Sequence, residues 1–278
     1  MKLFNTRSAP IVEESGRYYA VDEYDWDALI NHEDLSGYLK SLVTRDSPLD
    51  DSFELEDGSI LPPLVGQEVW AAGVTYFKSR DARMEEAEEG GGRDFYDRVY
   101  DADRPELFFK ATAHRVASHG ENIRIRSDSR WNVPEPELTL IVNARGRIVG
   151  YTIGNDVSSR DIEGENPLYL PQAKVYDRSC ALGPAILIED SALPSDTKIC
   201  VEIFRDEKLV FEGKSTLKQM KRTPNELVEY LYRETSFPAG SLLMTGTGIV
   251  PDSFFTLQSG DEVQISIDRI GTLRNCVA

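Results

Sequence analysis

Short apolar runs separated by Gly, Asn and Asp dominate the pattern of hydrophobic and polar positions from Glu68 to the C-terminus. Runs of β-branched and aromatic residues that end at such turn-forming residues are typical of strands joined in hairpins. The pattern therefore predicts a mostly antiparallel sheet system for this part of the chain. The runs that carry the prediction are EVWAAGVTYF, ELFFKA, ELTLIVNARGRIVGYTIGNDVS, ALGPAILI, KICVEIFRDEKLVFEG and GDEVQISIDRIGTL.

The N-terminal part of the chain has a different pattern. Two strand patterns, MKLFN and RYYAVDEY, precede a helical pattern in WDALINHEDLSGYLKSL and an acidic loop, SPLDDSFELEDGS. The double proline in the LPPLVG that follows is a break at which a domain boundary is expected. We predict a small N-terminal domain over residues 1–65 and a larger domain over residues 66–278.

Two later segments have a helical pattern and complete an α+β fold class. They are SRDARMEEAEE and PNELVEYLYRET, and Thr223 precedes the second as an expected N-cap with Pro224 in the first turn. Residues 85–106 are charged and rich in glycine, which predicts a mobile loop. Such a loop is either a solvated excursion or a lid over a site, because long loops in compact enzymes are often functional.

Charge and composition restrict the class of protein. The chain has 278 residues, with 48 acidic against 31 basic side chains and a net charge of -17. Nucleic acid and anionic membranes both need a basic surface, so neither is expected as a partner. Three scattered cysteines without C-x-x-C spacing predict neither disulfides nor a zinc site. No run approaches the roughly 20 apolar residues of a membrane span, and a cytoplasmic protein is expected.

Candidate chemistry begins with two glutamates in WNVPEPELTL. Glu135 and Glu137 are two residues apart, so in a strand their side chains would share a face. The pair is either a solvated edge of an acidic protein or a site for a hard divalent cation such as Mg²⁺ or Mn²⁺. A predicted hairpin through NARGR brings Asp156 back beside them, and three converging carboxylates favour the cation site.

Four ordered motifs make the sequence similar to a known family. PEPELTLIVNARGRIVGYTIGNDVSSRD, QAKVYDRSCALGP and GSLLMTGTGIVP together resemble the fumarylacetoacetate hydrolase family, from about residue 68 to the C-terminus. The resemblance implies a mixed, mostly antiparallel β-sandwich roll and a homodimer or homotetramer. It also implies that Glu135, Glu137 and Asp156 bind Mg²⁺, with Mn²⁺ as an alternative, and it assigns the family lysine to Lys174 and a threonine to Thr247.

One departure from the family pattern bears on the reaction. Hydrolases of this family carry G-x-N-Y-x-x-H, whereas GVTYFKS places Thr75 at the asparagine and Ser79 at the histidine that activates water. The surrounding sequence resembles the branch that contains 2-keto-3-deoxy-D-arabinonate dehydratase. That resemblance implies magnesium-dependent dehydration of the arabinonate or xylonate derivative to 2-oxoglutarate semialdehyde in oxidative pentose degradation. It also implies that a small keto acid is the binding partner.

This chemistry needs groups that move protons. Glu106, in PELFFKA, is the candidate base at C3, and Lys174 is the candidate for orienting the carbonyl or protonating the departing hydroxyl. Each has a purely structural alternative, an exposed acid or a salt-bridged lysine, and Lys110 could pair with a nearby carboxylate. The side chains proposed for the substrate oxygens could equally serve local structure; they are Thr75, Ser79, Arg80 and Thr247.

Two competing functions stay open at this point. One is a hydrolase or decarboxylase that acts on an acylpyruvate, a β-diketo acid or oxaloacetate, since the family uses one metal site for several reactions of enolisable keto acids. The other is a binding protein with a relic site. The retained carboxylates together with Lys174 argue against a relic, and Ser79 argues against a hydrolase.

Overall fold

The computed structural model describes residues 1–21, 25–50, 52–77 and 99–278. The predicted helix over residues 79–89 lies outside the described residues, as does most of the predicted loop. Ser79 and Arg80 also lie outside them.

Strands make up most of the described chain. In order they are β1 (Lys2–Phe4), β2 (Ile11–Glu14), β3 (Arg17–Ala20), β4 (Glu68–Gly73), β5 (Glu106–Thr112), β6 (Val116–Ala117), β7 (Asn132–Val133), β8 (Pro136–Val142), β9 (Ile148–Asp156), β10 (Ser158–Ser159), β11 (Cys180–Ile188), β12 (Lys198–Arg205), β13 (Lys208–Thr216), β14 (Ser241–Met244), β15 (Glu262–Ile267) and β16 (Gly271–Cys276).

Helices are few and short among the described residues. The α-helices are α1 (Trp26–Ile30), α2 (Leu35–Arg45), α3 (Arg160–Glu165), α4 (Leu170–Lys174) and α5 (Pro224–Tyr232). Single 3₁₀ turns occupy Asp57–Ser59, Ala113–Arg115, Pro167–Tyr169 and Leu217–Gln219.

Capping explains where α2 and α5 begin. The first predicted helical stretch forms two helices, α1 and α2. The Asp34 carboxylate accepts a hydrogen bond from the Gly37 N–H and so caps the N-terminus of α2. Helix α5 begins as predicted. Thr223 caps it, and Glu226 completes a capping box with Pro224 in the first turn.

The large sheet has ten described strands in the order β3-β2-β1-β11-β9-β8-β14-β4-β5, with β6 paired to β11. Its pairs are antiparallel except β14 with β4 and β6 with β11. A smaller sheet has the order β13-β12-β15-β16 and is antiparallel throughout. The prediction of mixed, mostly antiparallel sheets with a few helices is therefore confirmed.

The chain changes direction after β5, and this change places the C-terminal end of β5 near the site described below. Strand β5 lies at the end of the strand order, and the 3₁₀ turn Ala113–Arg115 follows it directly. Strand β6 then pairs with β11, which lies beside β9. The turn thus brings the C-terminal end of β5 towards the end of β9, although three strands separate them in the strand order.

Apolar side chains cover both faces of the large sheet. One buried cluster contains Leu138 and Ile153 of the large sheet with Val201 and Ile265 of the small sheet. A second cluster packs α1 and α2 against the opposite face, through side chains such as Leu39. Burying apolar area at about 25 cal/mol per Å² is the main favourable contribution to such a fold.

The N-terminal strands extend the large sheet, since Lys2 and Leu3 of β1 pair with Leu187 and Ile186 of β11. The division of the chain at residue 65 stays a prediction. Within the described ranges, none of the helices combines the length and the apolar character that a membrane crossing requires.

Candidate metal and active site

The hairpin of β8 and β9 brings three carboxylates together. Glu137 is paired with Gly154 in the register, and the Asp156 N–H donates to the Glu135 carbonyl at 3.0 Å. One carboxylate oxygen from each of Glu135, Glu137 and Asp156 lies within 4.8 Å of the others, and all three residues are buried. Buried carboxylates at this separation repel one another unless positive charge compensates them.

Three basic side chains surround the cluster. The Lys174 ammonium lies 2.8 Å from Glu135 Oε2 and 3.0 Å from Asp156 Oδ2. The Arg160 guanidinium lies 2.8 Å from Glu135 Oε1, and the Lys110 ammonium lies 2.5 Å from Asp156 Oδ1. Both lysines are fully buried. Since an isolated buried charge is very unfavourable, these ion pairs hold the side chains in place.

Glu137 has a different environment. Burial, followed by the charges of Asp156 and Glu135, raises the pKa of the Glu137 carboxyl well above its usual value. The Lys174 ammonium and the Gly246 N–H, which donates to Glu137 Oε2 at 2.5 Å, oppose that rise. A divalent cation among the three carboxylates would oppose it further, because opposite charge favours the ionised form.

The candidate base Glu106 lies on β5, which approaches the cluster at Phe108. Glu106 and Phe108 are two residues apart on β5 and share a face, and Lys174 Nζ lies 5.7 Å from the centre of the Phe108 ring. Gly73 of β4 pairs with Glu106 in the register. A Cβ at Gly73 would lie 2.0 Å from Glu106 Oε2, so the glutamate carboxylate lies against this glycine.

The two predicted substrate-binding threonines are buried in loops beside Glu137. The Thr75 hydroxyl donates to the Thr245 carbonyl at 2.6 Å. The Thr247 hydroxyl donates to the Ile249 carbonyl at 3.2 Å and accepts from the Ile249 N–H at 3.1 Å. These bonds connect the loops that flank Gly246, and a role in substrate binding stays a prediction for both residues.

Several side chains at the site have no role in the sequence-based expectations. Arg160 and Ser158 both occur in the NDVSSRD motif, and Ser158 Oγ accepts from Lys174 at 2.5 Å. Tyr76 follows Thr75 in the chain, and burial together with the charge of Glu137 raises the pKa of its phenol. Pairing of Lys110 with a carboxylate was expected as one alternative, and the structure confirms it.

The fold and the carboxylate cluster define a class of protein. The family model described as fumarylacetoacetate (FAA) hydrolase C-terminal matches residues 69–278. The chain therefore belongs to this family, as its motifs indicate.

Two relatives and one solved structure are similar to most of this chain. The chain is 48% identical over 241 residues to a Haloferax volcanii protein named probable 2-keto-3-deoxyxylonate dehydratase, covering 86% of this chain and 81% of the relative. It is 45% identical over 224 residues to 2-dehydro-3-deoxy-D-arabinonate dehydratase from Saccharolobus solfataricus, covering 80% of this chain and 75% of the relative. A solved structure of 2-keto-3-deoxy-D-arabinonate dehydratase, complexed with magnesium and 2,5-dioxopentanoate, superimposes with a TM-score of 0.84 at 38% identity, covering 100% of this chain and 98% of that one.

Proposed function

We propose that this protein is a magnesium-dependent dehydratase of a 2-keto-3-deoxypentonate, which is one and the same compound whether it derives from D-arabinonate or D-xylonate. The reaction removes water between C3 and C4 and yields 2,5-dioxopentanoate, which is 2-oxoglutarate semialdehyde. The observation that carries the proposal is the buried cluster of Glu135, Glu137 and Asp156 with Lys174. Its dehydratase relatives at 48% and 45% identity support the choice of substrate.

The donor set fits magnesium. Glu135, Glu137 and Asp156 supply only carboxylate oxygens, which Mg²⁺ and Mn²⁺ prefer over nitrogen and sulfur ligands. Glu137 has a raised pKa that a cation would lower, which is further support for the fit. When bound, the metal ion would act as a Lewis acid for the C2 ketone and carboxylate of the substrate.

The protein groups would then handle the protons. Glu106 takes a proton from C3, which is acidic because it is next to the ketone. Lys174 gives a proton to the hydroxyl that leaves C4, so that the leaving group is water. The resulting unsaturated alcohol becomes the aldehyde by losing one proton from C5 and one from the C5 hydroxyl, while C3 and C4 each gain one proton. The overall change is the loss of one water molecule.

Substrate recognition is part of the same proposal. Thr75, Ser79, Arg80 and Thr247 would contact the hydroxyl and carboxylate oxygens of the keto acid. Ser79 stands where the family hydrolases have a histidine, and the proposed reaction requires no activated water. A hydrolase or decarboxylase of acylpyruvates, β-diketo acids or oxaloacetate is the alternative.

A product assay separates these activities. Purified protein with Mg²⁺ is incubated in parallel with a 2-keto-3-deoxypentonate, an acylpyruvate and oxaloacetate, and the products are identified by mass spectrometry after carbonyl derivatisation. We expect 2,5-dioxopentanoate from the first substrate and turnover that stops in excess EDTA. Cleavage of the acylpyruvate or loss of CO₂ from oxaloacetate at a higher kcat/KM would favour the alternative.

We also propose a homodimer or homotetramer located in the cytoplasm, with the family β-sandwich roll and a small N-terminal domain over residues 1–65. The core cluster between the two sheets supports the sandwich arrangement. Light scattering coupled to gel filtration tests the oligomeric state. Limited proteolysis that releases a stable fragment starting near residue 66 would support the domain division.

A further inference from the structure

A β-bulge in β5 sets the position of Lys110. Val69 of β4 pairs with Ala111, whereas the next residue, Trp70, pairs with Phe109. Lys110 is therefore the extra residue that has no partner in the β4 register. Bulges are frequent beside active sites because they redirect a side chain. Here the bulge lies in the strand that begins with Glu106.

The Lys110 ammonium is surrounded by acceptors. It lies 2.5 Å from Asp156 Oδ1 and donates to the Lys174 carbonyl at 2.5 Å. The Val157 carbonyl at 3.2 Å and Ser179 Oγ at 3.3 Å complete its surroundings. An ammonium has three protons to donate, and this one is fully buried, so its position is fixed.

Asp156 is consequently held at both oxygens. Lys110 contacts Oδ1, and Lys174 contacts Oδ2. Oδ2 can accept from Lys174 and still bind a cation, because each carboxylate oxygen has two lone-pair positions. Oδ1 faces the buried Lys110 instead.

The other two carboxylates share this arrangement. Arg160 lies at Glu135 Oε1, and the Gly246 N–H donates to Glu137 Oε2. Each ligand thus has one oxygen held by a donor other than Lys174. A cation in the cluster would meet one oxygen from each side chain.

We propose that Lys110 is a positioning residue that makes Asp156 a single-oxygen ligand and so tunes the site to Mg²⁺ over Ca²⁺. Mg²⁺ requires near-octahedral coordination by separate oxygens at about 2.0–2.1 Å, whereas Ca²⁺ takes 6–8 oxygens and often binds a carboxylate through both. A cation that bound both oxygens of Asp156 would lie closer to the Lys110 ammonium at Oδ1 than a cation at Oδ2 alone, and this repulsion disfavours two-oxygen coordination. The inference rests on the proposed metal site, and Lys110 acts on the metal only through Asp156.

The test is metal preference in the full-length protein. Isothermal titration calorimetry of the metal-free protein gives the Kd for Mg²⁺ and for Ca²⁺ in wild type, Lys110→Met and Lys198→Met. Met has a similar length without charge, and Lys198 is an exposed lysine of β12 that serves as a matched control. Loss of residues that orient metal ligands typically weakens binding about 10- to 100-fold. We expect such a loss for Mg²⁺ and a smaller loss or a gain for Ca²⁺ in Lys110→Met.

The ratio of the two Kd values is the decisive quantity, because general destabilisation lowers both affinities together. A ratio in Lys110→Met equal to that of wild type and Lys198→Met would overturn the inference. A wild-type protein that binds neither ion would instead overturn the proposed metal site.

A second measurement needs no variant. Infrared difference spectra of Ca²⁺-loaded minus metal-free wild type report how carboxylates coordinate, through the separation of their two stretching bands. We expect the wide separation of single-oxygen coordination even with Ca²⁺. The narrow separation of two-oxygen coordination would contradict the inference, including in the case where Lys110→Met does not fold.

Discussion

At the scale of single residues, the carboxylates around Lys174 differ in their electrostatic environment. Glu135 and Asp156 have ion-pair partners among the basic side chains, whereas Glu137 has a raised pKa. Glu106 is separate from this cluster in sequence and lies against Gly73. Glu106 is not one of the three clustered carboxylates, which is why it is the group to test for proton transfer.

Glu106→Gln should retain Mg²⁺ affinity and lose turnover by the roughly 10²- to 10⁴-fold that is typical when a general base is removed. Gln keeps the size of the side chain and removes its basicity. Steady-state rates and calorimetry measure the two properties separately, and Glu137→Gln, which removes a metal ligand, is the contrasting control. Unchanged turnover would assign proton removal to another group, with Lys174 the first candidate.

The wild-type reaction in D₂O gives an independent check. Product formed by the enzyme should contain deuterium at C3 and C4, since both carbons gain a proton from solvent in the proposed steps. Authentic product incubated in D₂O without enzyme corrects for spontaneous exchange next to the carbonyl groups. A product without deuterium at C3 would rule out an enolate route.

At the scale of elements, the pairing of β4 with β5 determines where Glu106 points. Gly73 is opposite Glu106, and the space above its Cα holds the glutamate carboxylate. The contact is with the far end of a side chain, so an added methyl group moves the carboxylate and leaves the backbone in place. The glycine therefore has a positional effect on the candidate base.

Gly73→Ala should lower kcat, while Mg²⁺ affinity and folding change little. Replacing Gly by Ala changes stability by only about 0.4–1 kcal/mol where the backbone tolerates it, so a large activity loss would reflect displacement of Glu106. Thermal melting, calorimetry and rate measurements follow the three properties. Gly58→Ala is the matched control, since a Cβ there meets nothing within 4 Å. Equal kcat values for the two variants would refute the placement of Glu106.

Whether the sequence could predict an element's placement depends on how far apart in the chain the contacting residues lie. The convergence of Glu135, Glu137 and Asp156 depends on two-residue spacing and one hairpin, and both are local signals in the chain. The bulge at Lys110 and the turn that carries β5 towards β9 depend on pairing between distant strands. No local pattern in PELFFKA specifies them. The interruption of the predicted helix over WDALINHEDLSGYLKSL is different, because the Asp34 cap is a local signal that the helical pattern of apolar residues does not reveal.

At the scale of the whole molecule, a metal ion bound by Glu135, Glu137 and Asp156 would stabilise the folded state. A ligand that binds only the folded state stabilises it by about 2.7 kcal/mol at one hundred times Kd, equivalent to roughly 5–10 °C in Tm for a chain of this size. Mg²⁺ should therefore raise Tm, and EDTA should reverse the rise. An unchanged Tm would contradict metal binding by the folded protein.

The Tm gain from Mg²⁺ should grow as pH rises. The pKa of Glu137 is raised in the folded protein above its ordinary value of 4.5. At pH values between 4.5 and this raised pKa, the folded state therefore binds more protons than the unfolded state. The metal-free protein loses that stability as pH rises through the raised pKa, whereas Mg²⁺ needs the ionised carboxylate and binds better. Paired melting curves with Mg²⁺ and with EDTA across pH measure the gain, and a gain that shrinks with rising pH would reverse the assigned sign.

The ion pairs of Lys110, Lys174 and Arg160 have a consequence for how the enzyme is made in the cell. They already neutralise buried carboxylates within the chain, so the site does not need an ion to become compatible with a folded interior. The polypeptide should fold first and bind its metal ion afterwards, unlike small zinc modules that remain unfolded without metal. Refolding from urea should reach the same yield in EDTA as in Mg²⁺, and activity should return on late addition of the ion. A yield that depends on Mg²⁺ during refolding would mean that the ion acts as a template for assembly.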